Sequence, residues 1–202
     1  MSEKPWDKNP DLKEDRIVEI ANLICEVRGD VIDLHDVVLG DTRLSLGMRA
    51  YECCRSRLIS EDSQGTWPWF SILTAVGRFT FLFGKTPVRF VRNDPENLPS
   101  EKLIPSPEAS IQMGFFDEDY DHSNTRWFFV IDTFYKNVAD NMYFVGYNEQ
   151  GDIVCQWDIP LEAKAVLLSS LEEEVVKPNE ISKATVKVKS APEKVNESKN
   201  GE

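Results

Sequence analysis

One stretch constrains this fold more than any other: residues 126–159, RWFFVIDTFYKNVADNMYFVGYNEQGDIVCQWDI. Side chains alternate along a strand, so a run that is apolar in both registers must be covered on both sides. Residues 126–134 are such a run. Trp127, Phe129 and Ile131 lie in one register, and Phe128, Val130 and Phe134 in the other. A central strand is expected there. Tyr143, Val145 and Tyr147 then alternate, Asn148-Glu149-Gln150-Gly151 turns the chain, and Ile153, Cys155, Trp157 and Ile159 alternate on the return. A short loop ending in glycine between two alternating runs is a hairpin signal, because glycine accepts the positive φ of the turn. The stretch therefore reads as an antiparallel meander of three strands. Gln156 and Asp158 fall opposite Trp157, so one side of the hairpin is expected to be wet.

Asp132 interrupts the first of these strands. A carboxylate buried there needs donors or a cation. It reads as a structural partner for an arginine or a backbone N–H, or as a site residue with a raised pKa.

Upstream the hydrophobic period changes from two to 3.6. Asp15 is placed to cap a helix from Arg16. Its stripe is Ile17, Ile20, Ala21, Ile24, Val27, Val31, Leu34 and Val38, and Gly29 offers a point of division. Gly40-Asp41-Thr42 ends that element and caps a second helix, expected to run to about Leu58. Leu44, Met48, Tyr51, Cys54 or Arg55, and Leu58 are its expected inward residues, and residues 59–66 read as a loop. Residues 68–77 fit a short buried helix, begun at Thr66 with Pro68 in its first turn, or an apolar strand. Phe79, Phe81 and Phe83 alternate, Gly84-Lys85-Thr86-Pro87 turns, and residues 88–92 return as a second hairpin.

Residues 93–110 contain four prolines and read as a long loop. Residues 111–116 read as a strand, and residues 117–122 as an acidic loop. Pro160 is expected to open a helix to about Val175. Residues 177–202 have no aromatics and few large apolars, the composition of a disordered tail, and residues 1–14 read as flexible. The fold class expected is α+β. N-terminal helices pack on one face of an antiparallel sheet of five or six strands, in a single domain spanning 15–176.

No apolar run approaches the length of a membrane span. The N-terminus is polar and acidic, unlike a signal peptide, so a cytoplasmic location is expected. Four cysteines show no framework spacing and no CxxC, and there are two histidines. Reduced, mostly buried thiols are expected, with neither metal nor cofactor. Asp117, Asp119 and Asp121 alternate like the start of a calcium loop, but His122 and Phe128 occupy the positions where Gly and Glu are needed.

The net charge of −12 is uneven. Residues 43–92 carry eight bases against three acids, a local +5 that leaves −17 on the rest. Either the basic helix and hairpin answer acidic neighbours, or they face an acidic partner or phosphate.

Three functional expectations follow. The leading one is a non-enzymatic binding protein, an adaptor, regulator or inhibitor, that meets a protein partner. Arg78, Arg89, Arg92, Asp117, Asp119 and Asp121 are its candidate contact residues. The alternative is an enzyme or small-ligand binder with a pocket lined by Asp132, Tyr143, Tyr147 and Trp157. The weakest is a nucleic-acid or phosphate binder acting through the basic span.

Overall fold

The apolar stripe that opens the chain forms one unbroken helix in the computed structural model, which describes residues 3–114, 125–133 and 141–161. These residues fall in the first of two units, Met1–Lys164 and Ala165–Glu202. Helix α1 is Pro5–Lys8, α2 is Glu14–Asp33 and α3 is Arg43–Gln64. Gly29 does not divide α2. Its N-cap is Lys13, so Asp15 lies in the first turn beside Glu14, where both carboxylates favour the positive end of the helix dipole. The stripe buries Ile17, Ile20, Ala21, Ile24 and Val31. It ends there: Leu34 is the C-cap, and Val38 is 95% exposed.

Helix α3 begins as expected. Thr42 Oγ1 accepts from Ser45 N at 3.2 Å, and Ser45 Oγ accepts from Thr42 N at 2.8 Å, a capping box. It then runs past Leu58 to Gln64, so most of the expected loop at 59–66 is helix. Its buried residues are Leu46, Ala50, Cys54, Leu58 and Glu61, whereas Leu44 and Met48 face solvent. Both sets have helical spacing. Hydrophobicity favours the larger side chains, but Ala50 and Cys54 are small enough for a close approach to α2, and Cys54 Sγ lies 3.8 Å from Ile24 O.

Six strands follow: β1 Phe70–Thr74, β2 Thr80–Phe83, β3 Thr86–Arg92, β4 Arg126–Asp132, β5 Asn141–Tyr147 and β6 Ile153–Asp158. Within 68–77, Phe70–Thr74 is thus strand, and no part is helix. The sheet order is the chain order. The meander and the hairpin form as expected, with β4 ending at Asp132; Phe134 lies outside the described residues. One pairing departs from an all-antiparallel sheet. Strand β3 runs parallel to β4, with Val88 opposite Trp127 and Arg92 opposite Ile131.

Parallel neighbours need a crossover of a dozen or more residues. The segment between β3 and β4 is that crossover, and the loop expected at 93–110 is largely helical. It carries a 3-10 turn Pro95–Asn97, helix α4 Ser100–Leu103 and helix α5 Pro107–Gly114. Three of its prolines start helices instead of merely breaking them, at first-turn or cap positions where a missing N–H is harmless. The strand expected at 111–116 is, through Gly114, the end of α5. Six apolar-biased residues cannot separate the two periods, and the Ser106 hydroxyl decides the start by accepting from Ala109 N at 3.1 Å.

Strand β4 is buried on both faces. Trp127, Phe129 and Ile131 join α2 and α3 in the main core, with Phe81, Phe90 and Phe144. Phe128 and Val130 join Val91, Val145, Tyr147 and Leu103 of the crossover in a second core. Residues 3–13 were expected to be loose, but they pack on the sheet. Leu12 is buried, and Trp6 meets Trp157 edge to face at 5.0 Å. Asp11 accepts from Lys85 N at 2.9 Å across the β2–β3 turn. Gly84 holds φ +57° there, and a β-carbon on it would fall 2.6 Å from Asp11 Oδ1. The helix expected after Pro160 and the tail at 177–202 lie outside the described residues. Among those described, no helix is long and apolar enough to cross a membrane.

Candidate functional site

The most unusual surface is the tip of the α2–α3 hairpin. Between the helices the chain is tied by short polar bonds. Asp36 Oδ1 accepts from Val38 N at 2.7 Å, the turn-forming habit of aspartate. Asp41 Oδ2 accepts from Asp36 N at 3.1 Å, and Asp41 Oδ1 accepts from Arg49 Nη2 at 2.7 Å. Arg49 also donates to Leu34 O at 3.3 Å. His35 Nδ1 stands 3.5 Å from Asp41. The Asp36 N–H, with Arg49 and Ser45 in support, holds the Asp41 carboxyl below the usual carboxylate range.

These bonds fill the inside of the turn with polar groups and leave its apolar side chains outside. Leu34, Val37, Val38, Leu39, Leu44 and Met48 are 63% to 95% exposed. Single exposed apolar residues are ordinary, but six within fifteen residues of one helix junction are not. Asp30, Asp33 and Asp36 are exposed beside it, and so is Arg43. Sequence reasoning missed this surface by assigning Leu34, Val38, Leu44 and Met48 to the interior. The available signal was the run Val37-Val38-Leu39-Gly40, three apolar residues at a helix junction where no period can bury them all.

The basic span does not present one face. Arg78 Nη1 donates to Pro105 O at 3.2 Å, and Arg89 Nη1 donates to Lys102 O at 2.6 Å and Ile104 O at 3.3 Å. Arg89 also lies over the Phe128 ring at 5.6 Å, and burial holds its pKa below the ordinary arginine value. These two strap the crossover to the second face of the sheet. Arg92 shares the other face with Phe90 and packs on α3, within 2.9 Å of where a β-carbon on Gly47 would stand. On α3, Arg49, Arg55 and Arg57 pair with Asp41, Glu52 and Glu61. Asp117, Asp119 and Asp121 lie outside the described residues.

The four residues expected to line a ligand pocket are not gathered. Asp132 is half-buried at the end of β4, opposite Asn141, while Tyr147 pairs with Arg126 at the far end, six residues or about 20 Å away. Tyr147 is buried and its hydroxyl donates to Pro95 O at 2.8 Å. Burial, with Asp94 nearby, pushes its pKa up to about 12. Tyr143 lies opposite Val130 and Asp158, and burial, then Asp158 and Asp132, raises its pKa. Trp157 is on the other face, in the main core.

The described residues hold no cluster of three His, Cys, Asp or Glu side chains able to bind a metal. The four thiols are unpaired. Burial pushes Cys25 up to about 11 and Cys54 up to about 12, so both are protonated and poor nucleophiles near neutrality. Comparison of the chain with family models, with curated proteins and with solved structures finds no match.

Proposed function

We propose that this chain is a non-enzymatic binding protein that engages a protein partner through the α2–α3 tip. The partner segment is apolar and basic, such as a cationic amphipathic helix. One observation carries the reading: four large apolar side chains stand exposed on a turn that its own hydrogen bonds hold in place, with Leu44 and Met48 exposed beside them at the start of α3. A pre-organised apolar surface loses little freedom on binding.

Charge selects the partner. Asp30, Asp33 and Asp36 flank the tip on a chain of net charge −12. A second copy would bring like charge against like, whereas a basic segment gains attraction and a faster encounter. An adaptor, regulator or inhibitor role accords with this surface. Four unpaired cysteines accord with the reducing cytoplasm.

The test places a photo-crosslinking side chain at Val38 in the native cell and maps the adducts. The expected adduct is a basic, apolar segment. Val38→Asp with Leu44→Asp should weaken that partner at least tenfold, roughly 1.4 kcal/mol or more, while melting stays within about 1 °C. Raised salt should weaken it as well. No adduct at Val38, with captured partners indifferent to the double substitution, would refute the reading. So would an acidic partner or a second copy of the chain at that position.

A further inference from the structure

The sheet has two edges, β1 and β6, and they are finished differently. Helix α3 closes the β1 edge: Asp62 Oδ2 accepts from Ile72 N at 3.2 Å, and Arg55 Nε donates to Ala75 O at 2.9 Å. The β6 edge has no such closure among the described residues. Ile159 N donates to Met142 O at 3.0 Å, which sets the bonding pattern of the β5–β6 pair. Alternate residues of an antiparallel strand bond to opposite sides, so Cys155 and Trp157 bond to β5 while the N–H and C=O groups of Gln156 and Asp158 point away from it. Among the described residues nothing accepts from either N–H. The open stretch is bounded at both ends. Val154 is the extra residue of a bulge, since Cys155 pairs with Gly146 and Ile153 with Tyr147. Pro160, beyond the other end, has no N–H.

An unpaired edge is a template for an added strand, in which backbone bonds supply affinity and alternate side chains supply selection. Asp152 and Asp158, at either end of β6, are exposed and enter no ion pair among the described residues. Ile153 and Val154 are each 37% exposed. On the opposite face Lys4 lies over the Trp157 ring at 5.9 Å, and Lys8 pairs with Glu3 at 2.6 Å, so a base is welcome beside Asp158 and unwelcome beside Trp157. A second copy, at net charge −12, would bring like charge to this edge. We propose that the β6 edge takes up an extended segment of a partner protein as an added strand, paired through Gln156 and Asp158, with basic side chains on the Asp158 face and apolar ones on the Trp157 face. The edge is a separate site from the α2–α3 tip, and the proposal stands whether or not that tip binds a protein.

The test uses the full chain, labelled for NMR, and a short peptide of alternating valine and lysine. Amide exchange at Gln156 and Asp158 should be fast in the chain alone and slow by about tenfold or more with the peptide at about 1 mM. The counterpart with glutamate for lysine should leave both amides fast. Asp158→Asn should weaken the lysine peptide severalfold, and methylating the peptide's backbone nitrogens should abolish the protection. Gln156→Pro, a change an outward-facing edge position accommodates, should abolish it too. Where that variant fails to fold, the methylated peptide decides. Slow exchange at Gln156 and Asp158 in the chain alone overturns the proposal, because the edge is then already occupied. So do amides that stay fast with the lysine peptide, equal protection by the glutamate peptide, or equal affinity in Asp158→Asn. Protection lost in Val38→Asp with Leu44→Asp also overturns it, since the peptide would then sit on the tip.

Discussion

Replacing Tyr147 with phenylalanine isolates one bond between the crossover and the sheet. The ring remains, and with it the edge-to-face contact with Phe128 at 5.7 Å. Only the hydroxyl is lost, and with it the 2.8 Å bond to Pro95 O. Such a bond contributes about 1 kcal/mol, and an acceptor left unsatisfied in a buried place raises the loss to about 1–3 kcal/mol. For a chain of this size that lowers the melting temperature by roughly 2–12 °C. The pH dependence has a definite sign. The folded tyrosine holds its proton up to about 12, against an ordinary value of 10.0. Its contribution is therefore complete below pH 10 and is lost as pH rises towards 12, since the unfolded chain ionises first. Phenylalanine has no such term. The stability gap between wild type and Tyr147→Phe should be widest near neutrality and narrow above about pH 10. Chemical denaturation at about pH 7 and about pH 11 measures both gaps. An unchanged melting temperature at neutral pH, or a gap that widens in alkali, would refute the reasoning.

Gly84→Ala forces a β-carbon onto a positive φ and against the Asp11 carboxylate. It should cost about 1–2 kcal/mol and loosen residues 3–13, measured by melting and by proteolysis near the N-terminus. Thr42→Ala removes the cap of α3 and should cost about 0.5–2 kcal/mol, with faster amide exchange at Ser45. Cys54, buried with a thiol raised to about 12, should resist alkylation at neutral pH until the protein unfolds; fast labelling in the native state would contradict its placement.

Much of this architecture was legible because strand burial writes itself into alternation. Residues 126–132 are apolar in both registers, and the structure covers both faces. Turn chemistry was equally readable at Thr42 and Gly84. What failed to show was long-range choice. Nothing local told that residues 88–92 would run parallel to 127–131, since direction depends on a distant partner. Prolines 95, 99 and 107 favour a loop and a helix start alike, and only the packing of Leu103 under the sheet selects the helical reading. The stripe of α3 was misplaced because Leu44 and Met48 outweigh Ala50 and Cys54 in hydrophobicity, although the crossing with α2 rewards small size. That same misplacement concealed the exposed tip, which appears only once Leu34, Val38, Leu44 and Met48 are seen to lack cover.

The pairing of β3 with β4 also shapes how the chain reaches its fold. Strands β1 to β3 are joined by short turns, as are β5 and β6, so these pairings form between near neighbours. The seam between Val88 and Trp127 closes a loop of 33 residues, 93–125, against two between β2 and β3. That is about four doublings of length, or roughly 2.4 kcal/mol of additional closure entropy. Two locally zipped halves must therefore find each other across an entropic gap, and the aromatic layer at Phe81, Phe90, Phe129 and Phe144 is completed only when they meet. The docking of one half-sheet on the other is thus the closure that costs the most chain entropy in this sheet.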